Sequence, residues 1–313
     1  AILVAPATAA TIAKLAAGMA DELLTCTVLA SKAPVIVAPA MDAHMYENAA
    51  TQDNLSTLRK RGVTIVEPES GRLASSKEGP GRLANVERIL GVVHRVLGRD
   101  GDLAGRRVVV TAGGTQEPID PVRHVGNRSS GKMGYAMAEA ARDRGAEVVL
   151  VSGPTCLPKP GGMEIVDVRT TEDMSRATVK ATDGSDVLIM AAAVADYRPK
   201  AESAQKIKKS GAEIVLELEE TPDILGSIRG NVIKVGFAAE SGNLVDNARE
   251  KLQKKRLDLM VANDITATDS GFGTEENRVT ILDREGNVAD LPLLPKRQVA
   301  DHVLDRVANL PGR

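Results

Sequence analysis

Short apolar runs recur along this chain at a spacing that few architectures accommodate. Arg107–Thr111, Glu147–Val151, Val187–Met190, Val232–Phe237 and Leu257–Val261 are almost unbroken in Val, Ile, Leu and Met. Helix-like segments separate them at Gly131–Arg144, Thr171–Thr182 and Val245–Lys255, and a last run follows at Val279–Leu282. A strand with one wet face alternates apolar and polar residues, whereas a strand covered on both faces has no reason to. Continuous runs interleaved with helices therefore predict an α/β fold, a parallel-rich sheet covered by helices on both sides.

The same alternation occurs once more upstream. Ala1–Ala5, Val35–Ala38 and Val63–Val66 read as strands, and Ala9–Leu24, Thr51–Arg61 and Val86–Leu97 as helices. Ser70–Gly81 reads as a Gly/Ser-rich loop, and Gly98–Gly105 (GRDGDLAG) has the Gly and Asp punctuation of a boundary. The expected organisation is a partial α/β domain over 1–103 and a complete one over 104–313. Ala1–Ala5 looks like a strand already in progress, without initiator Met or leader, so the chain is expected to begin inside its first domain.

With 313 residues, 43% of them hydrophobic, there is enough apolar material for two cores. A net charge of −2 offers no electrostatic attraction to nucleic acid or to an anionic membrane. Aromatic residues make up only 2%, with no Trp, which argues against base stacking on exposed rings. No run approaches the roughly 18 apolar residues of a membrane span. Cys26 and Cys156 form no metal-type pair and read as reduced thiols of a cytoplasmic protein.

Chemistry concentrates in Thr111–Gly134, TAGGTQEPIDPVRHVGNRSSGKMG. A strand that runs into glycines, then a second Gly-bounded turn that opens a helix, builds an anion site. Glycine lets backbone approach a phosphate, and the free N–H groups of the helix start face it. The spacing is neither G-x-G-x-x-G nor a P-loop, which counts against the alternative of a Rossmann-type NAD(P) oxidoreductase. Asn127 stands in the turn before the helix, as a site amide or an ordinary cap. Lys206 opens a basic tetrad that suits either a flap or a solvated face. Asp196 follows a small-residue strand end, where open parallel sheets collect ligands. Lys251 and Lys255 share one helix face, and Phe237 reads as core or as a site wall.

Several separated strings agree in order: GGTQEPIDPVR (Gly113–Arg123), GNRSSGKMG (Gly126–Gly134), AAAVADYRP (Ala191–Pro199), QKIKK (Gln205–Lys209), TPDIL (Thr221–Leu225), VGFAAE (Val235–Glu240) and LDLMVAND (Leu257–Asp264). Together they make the chain from about Gly105 onward resemble the phosphopantothenate–cysteine ligase domain of bifunctional coenzyme A biosynthesis proteins. The resemblance implies a three-layer αβα, Rossmann-like ligase domain. It would join 4′-phosphopantothenate to L-cysteine with CTP and Mg2+, through an acyl-cytidylate, releasing CMP and pyrophosphate. The family's essential Asn and Lys fall on Asn127 and Lys206, the first holding the acyl carbonyl or phosphopantothenate, the second reaching the α-phosphate. By the same matching, Met190, Ala191 and Ala192 line the cytidine site and Asp196 contacts CTP or its metal. Pro222, Asp223, Ile224, Leu225 and Phe237 border the nucleotide, and Lys251 and Lys255 reach its phosphates. CTP over ATP rests on the resemblance alone.

Ala1–Leu97 resembles part of the flavin-containing cysteine decarboxylase family through APATAATIAKLAAGMADELL, APAMDAHMYEN and GPGRL. This implies a partial flavodoxin-like domain, with FMN near Thr8, Ala9, Ala10, Thr11 and Ala40. Two positions depart from the family pattern: Asp42 stands for the usual Asn of the substrate loop, and Ser75 for the flap cysteine. An ionised Asp42 would face a substrate carboxylate with like charge unless turned away or protonated by a raised pKa, and a hydroxyl is a far poorer acid than a thiol. None of His44, His94, His124 and His302 lies in the context of the family's catalytic His. This half is therefore expected not to decarboxylate as given, leaving a non-catalytic oligomerisation or regulatory role as its alternative. The family further implies homo-oligomers, a ligase-domain dimer within a dodecamer of intact parents, and no nucleic-acid or membrane partner.

Overall fold

In the first unit, Ala1–Arg99 with Lys159–Gly162, β1 (Ile2–Ala7) runs into α1 (Ala9–Ala17). Thr8 caps that helix by accepting the Thr11 N–H, and Gly18 ends it in the left-handed region at φ 71°, where glycine carries no Cβ penalty. The single helix expected over Ala9–Leu24 is thus two: α2 (Leu23–Ala30) starts afresh on a Glu22 capping box. β2 (Val35–Pro39), α3 (Ala43–Glu47), α4 (Ala49–Lys60) and β3 (Thr64–Ile65) follow, and β1–β2–β3 form a parallel sheet. Val4, Ile12, Val37 and Leu55 fill one face; Ile36, Ala38 and Ile89 fill the other. Ser70–Gly81, expected as a loop, belongs to a hairpin of β4 (Glu69–Arg72) and β5 (Glu78–Arg82). Its Gly- and Pro-rich strands carry no apolar alternation by which to be seen. α5 (Val86–Gly98) closes the unit.

This computed structural model describes residues 1–209, 213–240, 243–264 and 273–310. The second unit takes Asp100–Pro158 and Met163–Arg313. Its elements are β6 (Arg107–Ala112), β7 (Glu117–Pro118), β8 (His124–Val125), α6 (Lys132–Asp143), β9 (Glu147–Ser152), β10 (Glu164–Asp167), α7 (Thr171–Thr182) and β11 (Val187–Met190). Then come β12 (Tyr197–Pro199), β13 (Leu218–Glu220), α8 (Ile224–Ser227), β14 (Ile233–Glu240), α9 (Leu244–Lys254) and β15 (Leu259–Asp264). β16 (Glu276–Asn277), β17 (Val279–Asp283), β18 (Val288–Asp290), β19 (Leu294–Pro295) and α10 (Lys296–Asn309) complete it.

One sheet of eight strands runs β10-β9-β6-β11-β14-β15-β17-β18. The pairs from β10 to β15 are parallel, while β17 and β18 return antiparallel at one edge. Successive residues of a strand serve opposite faces. Val108, Val110, Leu150 and Ile189 pack with α6 and α10; Val109, Val149, Val151 and Leu188 pack with α7 and α8. Double burial is why these strands read as continuous apolar runs. Counted along the chain, the parallel strands stand in the order 3-2-1-4-5-6. The chain therefore leaves β6 one way and returns to β11 the other, opening a crevice at the carboxyl ends of these two strands. No helix among the described residues is long and apolar enough to cross a membrane.

Candidate active site

The crevice is shaped by buried hydroxyls. After β6, Gly113 turns at φ 77°, Gly114 bridges Ala193, and the Ala193 N–H donates to Gly113 O at 2.8 Å. Thr111 Oγ1 accepts the Ala192 N–H at 3.2 Å and Thr115 Oγ1 that of Ala195 at 2.9 Å. Glu117 Oε1 in turn accepts both the N–H and the hydroxyl of Thr171, each at 2.8 Å. Buried polar atoms must find partners, so this mutual satisfaction holds the Gly113–Thr115 and Ala191–Ala195 loops side by side. α6 begins at Gly131 (φ 77°) with no side-chain cap. The Gly131 N–H donates to Ser129 Oγ at 3.3 Å, but the amides from Lys132 onward have no side-chain cap among the described residues, as at an anion-binding helix start.

A cavity of about 1030 Å³ opens here. Asn127, Met190, Ala191, Ala192, Asp196, Pro222, Asp223, Ile224, Leu225, Phe237, Lys251 and Lys255 all line it. The exposed Asn127 donates from Nδ2 to Val194 O at 2.8 Å, which leaves its carbonyl oxygen and second N–H without a partner among the described residues. Asp196 is exposed and makes no side-chain hydrogen bond among them. Phe237 is half-buried, packed against the core on one side and lining the cavity on the other. Lys255 Nζ meets Asp223 Oδ2 at 2.5 Å. Burial works to raise the Asp223 pKa, but the Lys255 bond and the Gly226 and Leu225 N–H groups outweigh it and hold the carboxyl below its usual range. Lys206 is exposed and is not part of this wall. The side chains of Glu240 and Asp264, which end two of the strings, lie outside the described residues.

The cavity is also lined by residues that the sequence did not single out: Lys132, Asn263, Asn277 and Lys296. Lys296 is 7% exposed and donates to Thr274 O at 2.6 Å and Glu276 O at 3.1 Å. Burial, and then the nearby Lys132 charge, push its pKa down. The Oδ1 atoms of Asn263 and Asn277 are buried without a hydrogen-bond partner among the described residues. Lys132 sits inside the GNRSSGKMG string; Asn277 and Lys296 belong to no string. No group of three or more His, Cys, Asp or Glu among the described residues could hold a metal ion.

In the first unit, Thr8, Ala9, Ala10 and Thr11 form the start of α1 at the carboxyl end of β1, the two hydroxyls 3.0 Å apart. Ala40 joins them through its N–H on Ala7 O at 3.0 Å. Asp42 caps α3 by accepting the His44 N–H at 3.1 Å, and its other oxygen accepts the Ser75 hydroxyl at 2.7 Å. The two departures from the family pattern thus meet each other. With no substrate bound, the Ser75 hydroxyl first, then the His44 N–H, hold the Asp42 carboxyl below the usual carboxylate range, so here it is charged.

Comparison with known proteins agrees with this division. The family of the DNA/pantothenate metabolism flavoprotein C-terminal domain matches residues 103–310, and the Flavoprotein family matches 1–98. The coenzyme A biosynthesis bifunctional protein CoaBC of Bacillus subtilis is 45% identical over 315 residues, spanning 99% of this chain and 78% of that protein. The chain belongs to the CoaBC family. The CoaBC of Vibrio vulnificus is 42% identical over 317 residues, spanning 99% of this chain and 79% of its own. A crystal structure of the C-terminal domain of a CoaBC protein, 43% identical, superposes with a TM-score of 0.57 over 66% of this chain and 96% of that one.

Within this CoaBC chain the Asp42–Ser75 contact makes a direct prediction. Ser75→Ala removes the main influence that lowers the Asp42 pKa, so the carboxyl should titrate closer to the ordinary carboxylate range. Because a depressed folded pKa stabilises above the unfolded value and that gain is lost as pH falls through the folded one, the variant gives up part of the gain. Carboxyl-carbon NMR titration reads it; an unmoved Asp42 would show that the contact is not formed in solution.

Proposed function

We propose that the second unit ligates 4′-phosphopantothenate to L-cysteine with CTP, through an acyl-cytidylate, giving phosphopantothenoylcysteine, CMP and pyrophosphate. The observation that carries this reading is the cavity at the β6/β11 crevice, which brings together an amide, a small-residue strand end and two lysines in a CoaBC chain. In the first half-reaction a substrate carboxylate oxygen attacks the α-phosphorus and pyrophosphate leaves. Lys251 and Lys255 neutralise the departing charge, Lys255 exchanging its Asp223 partner for phosphate. Lys206 reaches the α-phosphate from its exposed segment. Asp196 would be the carboxylate contact of a magnesium ion bound with the triphosphate, whose charge that ion would shield. In the second half-reaction the cysteine amine adds to the acyl carbon and CMP departs, with the Asn127 amide donating to the acyl oxygen as charge grows on it. Met190, Ala191 and Ala192 leave room for the base beside Phe237, and Pro222–Leu225 border it.

The first unit is read as the flavin half, built to hold FMN, while decarboxylation of the ligation product by this chain is still expected to fail on Asp42 and Ser75. FMN, when bound, supplies the redox chemistry. The α1 start fits its phosphate, since Thr8 and Thr11 offer hydroxyls and the Ala9 and Ala10 amides precede the first helical bond. A ligase-domain dimer within a larger homo-oligomer is part of the same reading and rests on the family alone.

The test is release of CMP and pyrophosphate from CTP, Mg2+, 4′-phosphopantothenate and cysteine, beside an ATP control. CTP-dependent turnover supports the reading. Folded protein that turns over neither nucleotide sinks it.

A further inference from the structure

The segment that carries Lys206 is tied down by a buried carboxylate that is not part of the cavity wall. Asp120 is 2% exposed, with a fully buried side chain. Its Oδ1 accepts the N–H groups of Val122 and Arg123, both at 2.8 Å. Its Oδ2 accepts Arg123 Nη1 at 2.9 Å and, across the fold, the Ile207 N–H at 3.1 Å. Arg123 completes the grip, with Nη1 and Nη2 both donating to Ile207 O at 3.3 Å. Just upstream the Ser203 N–H donates to Ile119 O at 2.9 Å, and the Ser203 hydroxyl to Gln205 O at 2.7 Å.

The backbone on both sides of Lys206 is therefore held, while its ammonium has no partner among the described residues. A long side chain on a loose segment samples many positions, and fixing its backbone removes most of that freedom before substrate arrives. Burial opposes the Asp120 charge, but the Val122, Ile207 and Arg123 N–H groups and the Arg123 guanidinium outweigh it and keep the carboxyl below its usual range. It is thus a charged acceptor at neutral pH, the stronger kind for a backbone N–H. An amide in its place would present N–H to one of the donors it now accepts from.

We propose that Asp120 is a positioning residue of the ligase, presenting Lys206 to the nucleotide by holding the backbone of Ile207. The inference rests on Lys206 acting in ligation, and a double-mutant cycle separates the two. Lys206→Ala, Asp120→Asn and the double variant are compared in the full chain for CTP-dependent ligation, with Ile207 amide exchange as a second readout. Asp120→Asn should lower kcat about 10- to 100-fold, as misplacement of a reacting group does, and speed Ile207 exchange at least tenfold. Added to Lys206→Ala it should cost nothing more, because the residue it positions is gone.

Full activity in Lys206→Ala overturns the functional reading of Lys206. An inactive Lys206→Ala beside a fully active Asp120→Asn overturns the positioning role alone, as does an Asp120→Asn loss that multiplies with that of Lys206→Ala. Should Asp120→Asn fail to fold, Arg123→Gln carries the same cycle, since it releases Ile207 O from a side chain that is 43% exposed.

Discussion

Asn127→Ala is expected to lower kcat for CTP-dependent ligation by about 100- to 1000-fold, the range seen when one donor to a developing oxyanion is removed. Stability should change by no more than about 0.5 kcal/mol, as for a surface substitution. The asymmetry follows from its surroundings. The side chain is exposed at the mouth of the cavity, and its one bond among the described residues goes to Val194 O at 2.8 Å. Losing that bond strands no buried group, because a carbonyl at the cavity mouth can take water instead. Asn127→Asp sharpens the test. It keeps the shape but places an acceptor against the Val194 carbonyl and offers none of the N–H needed by an acyl oxygen. Both variants should fold and fail. Initial rates of CMP release, read with the thermal midpoint, decide it, and Asn127→Ala at more than a third of the parent rate would reduce Asn127 to a turn residue.

How far such a site can be read from sequence depends on what holds each residue in place. Val108, Val109 and Val110 alternate between two helical layers, so unbroken apolar runs announced the sheet. The hairpin Glu69–Arg72/Glu78–Arg82 was invisible because Gly71, Gly79, Pro80 and Gly81 leave it no apolar face. α10 escaped notice although Val299, Ala300, Val303, Leu304 and Val307 recur at helical spacing and are buried. Around the cavity, Asn127, Asp196 and Phe237 stand in contiguous strings that run along strands or just beyond them, where topology delivers them. Asn277 and Lys296 reach the same cavity only through the return of β16 and α10, a long-range contact that no local spacing encodes. Asp42 and Ser75 show the same limit: each departed from a pattern alone, and the 33-residue separation hid that one hydrogen bond joins them.

Gly134→Ala tests whether the start of α6 works as built, and is expected to cost more in activity than in stability. A Cβ at Gly134 would lie 2.5 Å from Ala112 Cβ, 2.8 Å from Thr111 O and 2.9 Å from Ala112 Cα. Two of these atoms are backbone and the third is a methyl, so no rotamer change gives relief and α6 must lift off β6. Overpacking of this kind costs about 1–3 kcal/mol, against which the better helix propensity of alanine returns up to about 1 kcal/mol. The net loss, about 0–3 kcal/mol, lowers the melting midpoint by up to about 10 °C for a unit of this size. Activity has no such offset. The lifted helix carries Gly131 and the preceding turn with Asn127, and a displacement on the order of 1 Å at reacting groups costs about 100-fold. Gly184→Ala is the matched control. It forces alanine to φ 70° with nothing within 4 Å of the new Cβ, in the loop before β11, at the end of that strand away from the crevice. The left-handed conformation costs roughly 1–2 kcal/mol there, so stability should fall by a similar amount while kcat stays within twofold. If the two variants lose activity alike, the loss tracks global stability, and the close approach of α6 to β6 has no special part in binding the nucleotide.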